Sequence, residues 1–431
     1  MHSFETLVIG SGPAGIAAAV SAAENGVRVG LVDDNAATGG QVWREDSTKP
    51  TASHPGLSSL WRQRLMKSQV TLLQGWRVFD QIAPGIVRAE RQDKSIDLRF
   101  NHLVLSTGAR ELFLPFPGWT LPNVMGLGAL QAMVKCGLPI RGKRVVLAGS
   151  GPLMLAVAAY LKAAGAIVIC MCEQAPASQL LPFALSLAST PGKILEGLRY
   201  RAATREIPFH SSAWPLAATG DGQLRSVTLS IHGRSTQVDC DYLACAFHLV
   251  PNTELPSLLG CDLKAGSVAV DDWQRTSVDN IYCAGEPTGI GGLELSVIEG
   301  QIAGFSIANQ KEKAKRLFPQ RARYRRFATR LAEAFALRPE LKGLPTEETL
   351  LCRCEDVPYG AVKLHPSWRS AKLQTRCGMG PCQGRVCGAA TEFLMGWNDT
   401  SVRPPVFPAQ ISHLVTSPTE NDATTLTMNQ R

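Results

Sequence analysis

The strongest constraint on this chain is a local pattern that occurs twice. In "TLVIGSGPAGIAAAV" a short apolar strand runs into Gly10-Ser11-Gly12-Pro13-Ala14-Gly15 and then an alanine-rich helical stretch to about Asn25. In a G-x-G-x-x-G turn the first glycine makes the bend and the second lets the backbone approach a pyrophosphate. The third lets the helix pack close to the strand, and the helix N-terminus supplies positive partial charge. A second strand, "VRVGLV", ends in Asp33, eighteen residues past Gly15, where a carboxylate accepts a ribose hydroxyl. From Arg144 the pattern recurs as "VVLAG", Gly149-Ser150-Gly151-Pro152, a helix to Ala164, "IVICMC" and Glu173. This is duplication of a supersecondary unit, not a solenoid repeat, and it predicts an α/β chain with two Rossmann-like dinucleotide-binding domains.

The second copy departs from the first where Met154 replaces the third glycine. A side chain there forces helix and strand apart, which leaves two readings: a reshaped nucleotide site or a retained scaffold. Glu173 suits an unphosphorylated ribose, so the expected ligands are NAD or an adenine nucleotide such as ATP or ADP. The uncharged runs Thr6–Ala23 and Val145–Leu161 are each broken by Gly-Ser-Gly-Pro, which fits strand–turn–helix better than a membrane span. Glu5 precedes the first run without a basic patch, so no signal peptide is read. Twelve cysteines then imply a reducing compartment, where clustered thiols are more often metal ligands than disulfides. The expected location is the cytoplasm, or the inner face of its membrane.

At 431 residues the chain is too long for one core. Residues 222–245 alternate and read as a hairpin, 268–286 as a further strand pair ending "IYCAGE", and a helix follows from Gly292 to about Asn309. The formal charge of +8 is local, because residues 311–342 hold eleven Lys/Arg against three Glu. That stretch reads as a basic amphipathic helix with Leu317, Phe327, Leu331, Phe335 and Leu341 as apolar contacts. Eleven cations also suit phosphate, with Tyr324 and Phe327 interleaved, but no recognition motif accompanies them and nucleic acid is not expected. "LPTEET" leads to the cysteine-rich segment, "RPPVFP" (403–408) reads as extended, and the polar end from Thr416 reads as disordered.

"LLCRCEDV" supplies Cys352-x-Cys354, and "TRCGMGPCQGRVC" supplies Cys377, Cys382 and Cys387. Four thiolates can hold a [2Fe–2S] cluster or a structural zinc. Gly378, Gly380 and Gly384 permit unusual φ and free backbone N–H groups to approach sulfur. C-x-C with C-x4-C differs from the C-x2-C pairs usual for zinc, which favours iron–sulfur. Cys136 in "MVKCGLP" lacks the partner of a redox C-x-x-C. Cys170, Cys172, Cys240, Cys245, Cys261 and Cys283 read as buried small hydrophobes.

Three further segments resemble those of glutathione-reductase-like flavoprotein reductases with two dinucleotide domains. They are "GGQVWR" with Gly40 and Gln41, "LVLSTGAR" with Thr107, Gly108 and Ala109, and "TSVDNIYCAGE" with Gly285 and Glu286. The resemblance implies FAD at the first glycine loop. It also implies a Thr-Gly-Ala segment crossing between domains, and an Ala-Gly-Asp segment holding the ribityl and phosphate portion. Here Glu286 takes the place of that Asp, with a longer reach. "CRCEDV" followed by "TRCGMGPCQGRVC" resembles the bacterioferritin-associated-ferredoxin-like (BFD-like) [2Fe–2S] domain. The form is the one fused to FAD subunits of heteromeric amine and amino-acid dehydrogenases: those of D-hydroxyproline dehydrogenase (its α subunit), opine oxidase and hydrogen cyanide synthase. Anaerobic glycerol-3-phosphate dehydrogenase has a related segment. The likeness spans residues 5–410, including "RPP" at 403–405.

That resemblance implies Cys352, Cys354, Cys382 and Cys387 as ligands, because related sequences often carry Ala where Cys377 stands. Cys377 is then a near neighbour, with the alternative that it is itself a ligand. The expected layout is a discontinuous FAD domain (1–110 and 246–310) and a second nucleotide domain (111–245). A basic helical connector (311–345), a small helical BFD-like domain (346–395) and an extended tail (396–431) complete it. In the related complexes a β flavoprotein subunit resembling sarcosine and D-amino-acid oxidases carries the substrate flavin, in some with a further small subunit. Flavin shared between subunits adds FMN to the expected cofactors.

A flavin accepts two electrons together, whereas a [2Fe–2S] cluster passes one at a time. No carboxylate pair, nucleophile elbow or His-centred constellation announces substrate chemistry, and the lone candidate His248 in "FHLVPN" reads as structural. The expectation is an electron-transfer subunit of a heteromeric amino-acid or amine dehydrogenase. Its partner oxidises a D-hydroxyproline-, opine- or glycine-type C–N bond, and the electrons pass to a respiratory acceptor. The alternative is a stand-alone NADH-dependent iron–sulfur flavoprotein reductase, which Gly149, Gly151 and Glu173 favour and Met154 opposes.

Overall fold

A computed structural model describes residues 1–44, 56–187, 190–397 and 402–415, so the polar end from Thr416 lies outside the described residues. The first glycine loop opens a seven-stranded sheet. Its strands are β1 (His2–Ile9), β2 (Val29–Asp33), β3 (Thr71–Gln74), β4 (Arg77–Ala83), β5 (Ile86–Arg91) and β6 (Lys94–Leu105), in the order β3-β2-β1-β6-β5-β4. The strand Ile281–Cys283 returns late in the chain to pair in parallel with β6. β1, β2, β3 and β6 also run parallel, while β4 and β5 form an antiparallel extension. Leu7, Val8, Leu103 and Val104 are fully buried, as expected for parallel strands covered on both faces. The helix Pro13–Ala23 packs on the helix Gly292–Ile307. That approach is close enough that a Cβ on Gly300 would lie 2.1 Å from the Ala14 carbonyl oxygen.

The second copy forms a separate five-stranded parallel sheet. Its order is Phe209–His210, Ile167–Glu173, Arg144–Gly149, Tyr242–Ala246, Val124–Gly126. A three-stranded antiparallel sheet, Ala213–Thr219, Ser226–Ile231 and Arg234–Asp239, leans on it. The hairpin read at 222–245 is therefore the last two of these strands, and its apolar end, 242–246, joins the parallel sheet instead. Residues 268–286 do not form the expected strand pair. The Asp271 carboxylate accepts from the N–H groups of Trp273 (2.8 Å) and Arg275 (2.9 Å) and turns the chain there, as Asp side chains do at turns. The two arms are joined by an isolated bridge, Arg275 to Tyr282, and by side-chain bonds from Gln274 to the Cys283 carbonyl and from Thr276 to the Ile281 carbonyl.

The basic connector forms the short helix Lys311–Lys315 and the longer Phe318–Ala334. All five apolar residues read from its sequence find contacts: Leu317 packs beside Ile298 and Ile302, Phe327 against Phe183, Leu331 and Phe335 beside Ala175, and Leu341 in the core of the second sheet. The cysteine module has its own small core of Leu351, Val357, Val362, Trp368 and Ala390. Beyond it the tail is more than an extended strand. Residues 402–415 cross the β4–β6 extension, the Val406 N–H donates to Phe79 (2.9 Å), and Ile411–Leu414 makes a helical turn. His413 there faces Glu90 at 2.9 Å.

Candidate flavin and cluster sites

At the first glycine loop, the three glycines have three different surroundings. A Cβ on Gly15 would lie 1.8 Å from the Gly10 carbonyl oxygen, so helix and loop touch there. A Cβ on Gly10 would meet the Ser106 carbonyl at 2.3 Å, whereas nothing lies within 4 Å of that place on Gly12. The open side of Gly12 thus faces a cradle at the start of the helix Pro13–Ala23, whose N-terminus has no side-chain cap. Such an end has free N–H donors and suits a phosphate. The Asp33 carboxylate is 8% exposed at the end of β2. It accepts from Ser11 N–H and Oγ on one oxygen and from the Asn35 N–H on the other, which fixes it beside the loop.

The other flavin segments converge on the same place. Gly39 donates to the Ser11 carbonyl at 2.8 Å, so the Gly40-Gln41 loop folds over Gly12, with Gln41 exposed. Thr107 and Asn252 hold each other by two bonds of 2.7 and 2.8 Å, Asn252 N–H donates to Gly108, and Ala109 pairs with Pro251. Gly285 sits against Ala14: a Cβ on it would fall 2.7 Å from the Ala14 methyl. Glu286 turns its carboxylate onto the N–H groups of Gly291 (3.2 Å) and Gly292 (2.9 Å), and burial pushes it up to about 7. The glycine loop and its open cradle fit the adenosine-diphosphate half of FAD.

The sequence reading missed the residues that brace this arrangement. Glu299, 1% exposed, accepts from Gly285 N–H (3.1 Å) and Thr288 Oγ (2.8 Å) and pairs with Arg325 at 2.8 Å. Arg321, equally internal at 4% exposed, reaches Asp272 and Gln274. Two of the eleven connector cations are thus structural. Ser106 ties the Ile9 and Gly10 carbonyls through its hydroxyl. Nothing in the sequence marks these groups, because their burial and their partners appear only in the folded chain.

The second glycine loop is different. Met154 is 2% exposed in the core, and the helix begins at Leu153, one residue later than its counterpart at Pro13. Its first turn is also tighter, with Met154 N–H to Gly151 and Leu155 N–H to Pro152. Gly149 lies against the Ala246 carbonyl, where a Cβ would fall 1.9 Å away. Glu173 is 2% exposed, accepts from Gly151 and Ala175 N–H at 2.8 Å each, and is pushed up to about 7 by burial. Beside it Ser150, Gln174 and His248 contact the end of the connector, and burial draws His248 down from its ordinary value.

The cysteine module brings Cys352, Cys377 and Cys387 together, all buried, with their sulfurs within 4.8 Å of one another. Cys354, exposed, and Cys382, half-buried, contact each other as a second pair at the rim. Cys377 therefore lies inside the group, beside two of the four ligands read from the sequence. Donation from the Cys377 and Cys387 thiols, with the Gly378 N–H, draws Cys352 toward thiolate. Gly378 has φ +79°, and a Cβ on it would fall 2.6 Å from the Trp368 ring. Only glycine fits that contact. Three clustered sulfurs with a further pair at the rim make a donor set that fits a [2Fe–2S] cluster. A cavity of about 280 Å³ opens beside them, lined by Phe113, Trp119 and Met125 together with Cys354, Cys382 and Cys387. The other cysteines are buried in the two sheet cores, apart from exposed Cys136.

Flavin fold and cysteine module meet through charge. Arg110, next to Ala109, donates to the Arg385 carbonyl at 3.0 Å and pairs with Glu254 at 2.8 Å. Glu254 also lies 3.9 Å from the Arg385 guanidinium, which stacks 4.2 Å over Phe407 and donates to the Cys382 and Val406 carbonyls. Burial draws Arg385 below its ordinary value, yet Glu254 opposes that.

Comparison with known proteins agrees with this architecture. Residues 4–303 match the pyridine nucleotide-disulphide oxidoreductase family. The chain is 31% identical to an opine oxidase subunit of Rhizobium meliloti (strain 1021), covering 96% of this chain and 99% of that protein. It is 30% identical to hydrogen cyanide synthase subunit HcnB of Pseudomonas aeruginosa, covering 93% and 96%. Among solved structures, L-proline dehydrogenase from P. horikoshii shares the fold with a TM-score of 0.67 at 20% identity, over 96% of this chain and 80% of that one. Opine oxidase and hydrogen cyanide synthase are multi-subunit enzymes, as the names of these relatives state. No helix among the described residues is long and apolar enough to cross a membrane. With a flavin fold, four converging flavin segments and relatives matched from end to end, this chain belongs to the pyridine nucleotide-disulphide oxidoreductase family, as an FAD-dependent oxidoreductase subunit of the group that includes HcnB and its opine oxidase counterpart.

Proposed function

We propose that this chain is the FAD- and [2Fe–2S]-containing electron-transfer subunit of a heteromeric amino-acid or amine dehydrogenase. The observation that carries the reading is the thiol group of Cys352, Cys377 and Cys387, with the Cys354–Cys382 pair at its rim, fixed to the flavin segment by the Arg110–Arg385 contact. A flavin supplies two-electron acceptance and the cluster one-electron passage. The chain's own residues position both. Gly10, Gly12, Pro13, Ala14, Gly15 and Asp33 hold the nucleotide end of FAD, and Gly40, Gln41, Thr107, Gly108, Ala109, Gly285 and Glu286 its remainder. Cys352, Cys354, Cys382 and Cys387 hold the cluster, with Cys377 against it. Cys354 and Cys382 line the cavity with Phe113 and Trp119, and that opening supports approach of an outside redox group to the thiols.

A β flavoprotein subunit of the sarcosine- or D-amino-acid-oxidase type carries the C–N oxidation of a D-hydroxyproline-, opine- or glycine-like substrate in this reading. FMN fits the same scheme at a subunit interface. The boundaries 1–110 with 246–310, 111–245, 311–345, 346–395 and 396–431 divide the chain by these tasks, in the cytoplasm. The deciding experiment is anaerobic reduction of the co-purified native complex. Bleaching of flavin and cluster by an amino acid, dependent on the second flavoprotein, is the expected result. A chain that is colourless or holds only zinc after anaerobic preparation overturns it.

A further inference from the structure

In open α/β sheets a ligand lies in the crevice beyond the carboxyl ends of the strands, where the strand order reverses. In the second sheet that crevice is bounded by Ser150 after Arg144–Gly149, Gln174 after Ile167–Glu173, and His248 after Tyr242–Ala246. All three reach the same atom. The Phe335 carbonyl oxygen accepts from Ser150 Oγ at 3.0 Å and Gln174 Nε2 at 3.3 Å, and faces His248 Nε2 at 3.1 Å. Gln174 also donates to Ser150 Oγ and to the Ala336 carbonyl, and its own carbonyl accepts from Arg338 N–H at 3.1 Å. The Phe335 ring is 8% exposed and sits edge-on to Phe183 at 5.3 Å.

The chemistry of this contact is that of an anion site filled from within. Phe335 ends the helix Phe318–Ala334, so its carbonyl belongs to the last turn, which has acceptors without intrahelical partners and carries negative partial charge. The glycine loop opposite begins a helix and carries the opposite sign. We infer that the segment Phe335–Arg338 permanently occupies the second dinucleotide crevice, in place of NAD or an adenine nucleotide, so that nicotinamide is not an electron source for this chain. The other end of the same helix is fixed to the flavin fold through Arg321 and Arg325. The connector therefore joins the two nucleotide folds while closing one of them. This rests on the electron-relay reading only for its consequence, the exclusion of NADH as reductant.

The test is hydrogen exchange on the full holoprotein with and without millimolar NAD⁺, NADH, ADP or ATP. Expected are slow exchange at the Arg338 amide, no change at 149–154, 173–175 or 335–338 with any of the four, and no bleaching of the flavin by NADH. Saturable protection of 149–154 or 173–175 by any nucleotide overturns the inference. The pair Ser150→Ala with Gln174→Ala checks the strap itself: exchange at 335–338 rises about tenfold or more while flavin stoichiometry holds. Unchanged exchange in that variant also overturns it. A colourless chain would sink the relay reading and leave these exchange results standing.

Discussion

Replacing Gly15 with Ala tests the flavin assignment most directly. The added carbon would sit 1.8 Å from the Gly10 carbonyl oxygen and 2.5 Å from Ser106 Oγ. Ordinary carbon–oxygen contact needs more than 3 Å, so something must move by more than an ångström. Ser106 could turn its hydroxyl away, at the loss of its bonds to Ile9 and Gly10. The Gly10 carbonyl is backbone, and Gly10 itself is held by its N–H to Val32 at 2.8 Å. The cheaper movement is therefore an outward shift of the helix N-terminus, away from the phosphate cradle. Overpacking of this kind costs about 1–3 kcal/mol, and a similar loss of phosphate binding lowers FAD affinity about ten- to a hundredfold. Flavin absorbance per chain after dialysis, with the dissociation constant from fluorescence, reads this directly. Stoichiometric FAD of unchanged affinity in Gly15→Ala would refute the placement of the pyrophosphate. Met154→Gly is the control. It removes a buried side chain from the second core, lowers stability by about 2–5 kcal/mol, and leaves FAD affinity alone.

Cys352→Ser and Cys387→Ser are expected to lose bound iron and visible colour, measured by metal analysis and absorbance after anaerobic reconstitution. Cys377→Ala keeps the colour but shifts the paramagnetic resonance of the reduced protein, because its sulfur touches Cys352 and Cys387; loss of iron there would make it a ligand. Glu254→Gln weakens the hold on Arg110 and Arg385, so flavin-to-cluster transfer in stopped flow slows by roughly tenfold with both cofactors still bound; an unchanged rate sinks the coupling role. For pH, Glu173 is pushed from 4.5 up to about 7 by burial, so the folded chain binds that proton more tightly than the unfolded one. Its contribution to stability is lost as pH rises from 4.5 through about 7, by about 3 kcal/mol at most. Denaturant titrations of Glu173→Gln should accordingly show a flatter profile across that range.

Most of the fold was legible because glycine loops and parallel strands leave local marks. The strand ending at Ile9, the turn at Gly10-Ser11-Gly12, the helix from Pro13 and the acid at Asp33 sit in register in one short stretch. The same holds from Arg144 to Glu173, and even the tighter helix start agrees with Met154 in the third-glycine position. Where the reading missed, side chains outweighed periodicity. The strand pair read across 268–286 was overridden by the Asp271 carboxylate, which accepts from two backbone N–H groups and turns the chain. The connector reads as a basic amphipathic helix, yet its Arg321 and Arg325 are committed to pairs with Asp272 and Glu299. Their carboxylate partners are distant in sequence, and no spacing rule joins them.

The residues that escaped the sequence share a physical task. A protein whose task is to pass electrons between two bound groups depends on fixed distances between them more than on reactive side chains. Fixed distances come from buried ion pairs and side-chain bonds to backbone, and these carry no motif. Glu299 holds Gly285, Arg110 holds the Arg385 carbonyl between Cys382 and Cys387, and Asn252 holds Thr107. Each contact ties a cofactor segment to a neighbouring element by a short, directional bond. Breaking a buried pair from one side leaves the other charge unpaired and is strongly destabilising, which keeps the loops from drifting. In the electron-relay reading proposed above, the lack of a catalytic constellation in the sequence and the density of such braces in the structure have one cause: a chain that holds cofactors in place for electrons from another protein needs braces and no reactive side chains of its own.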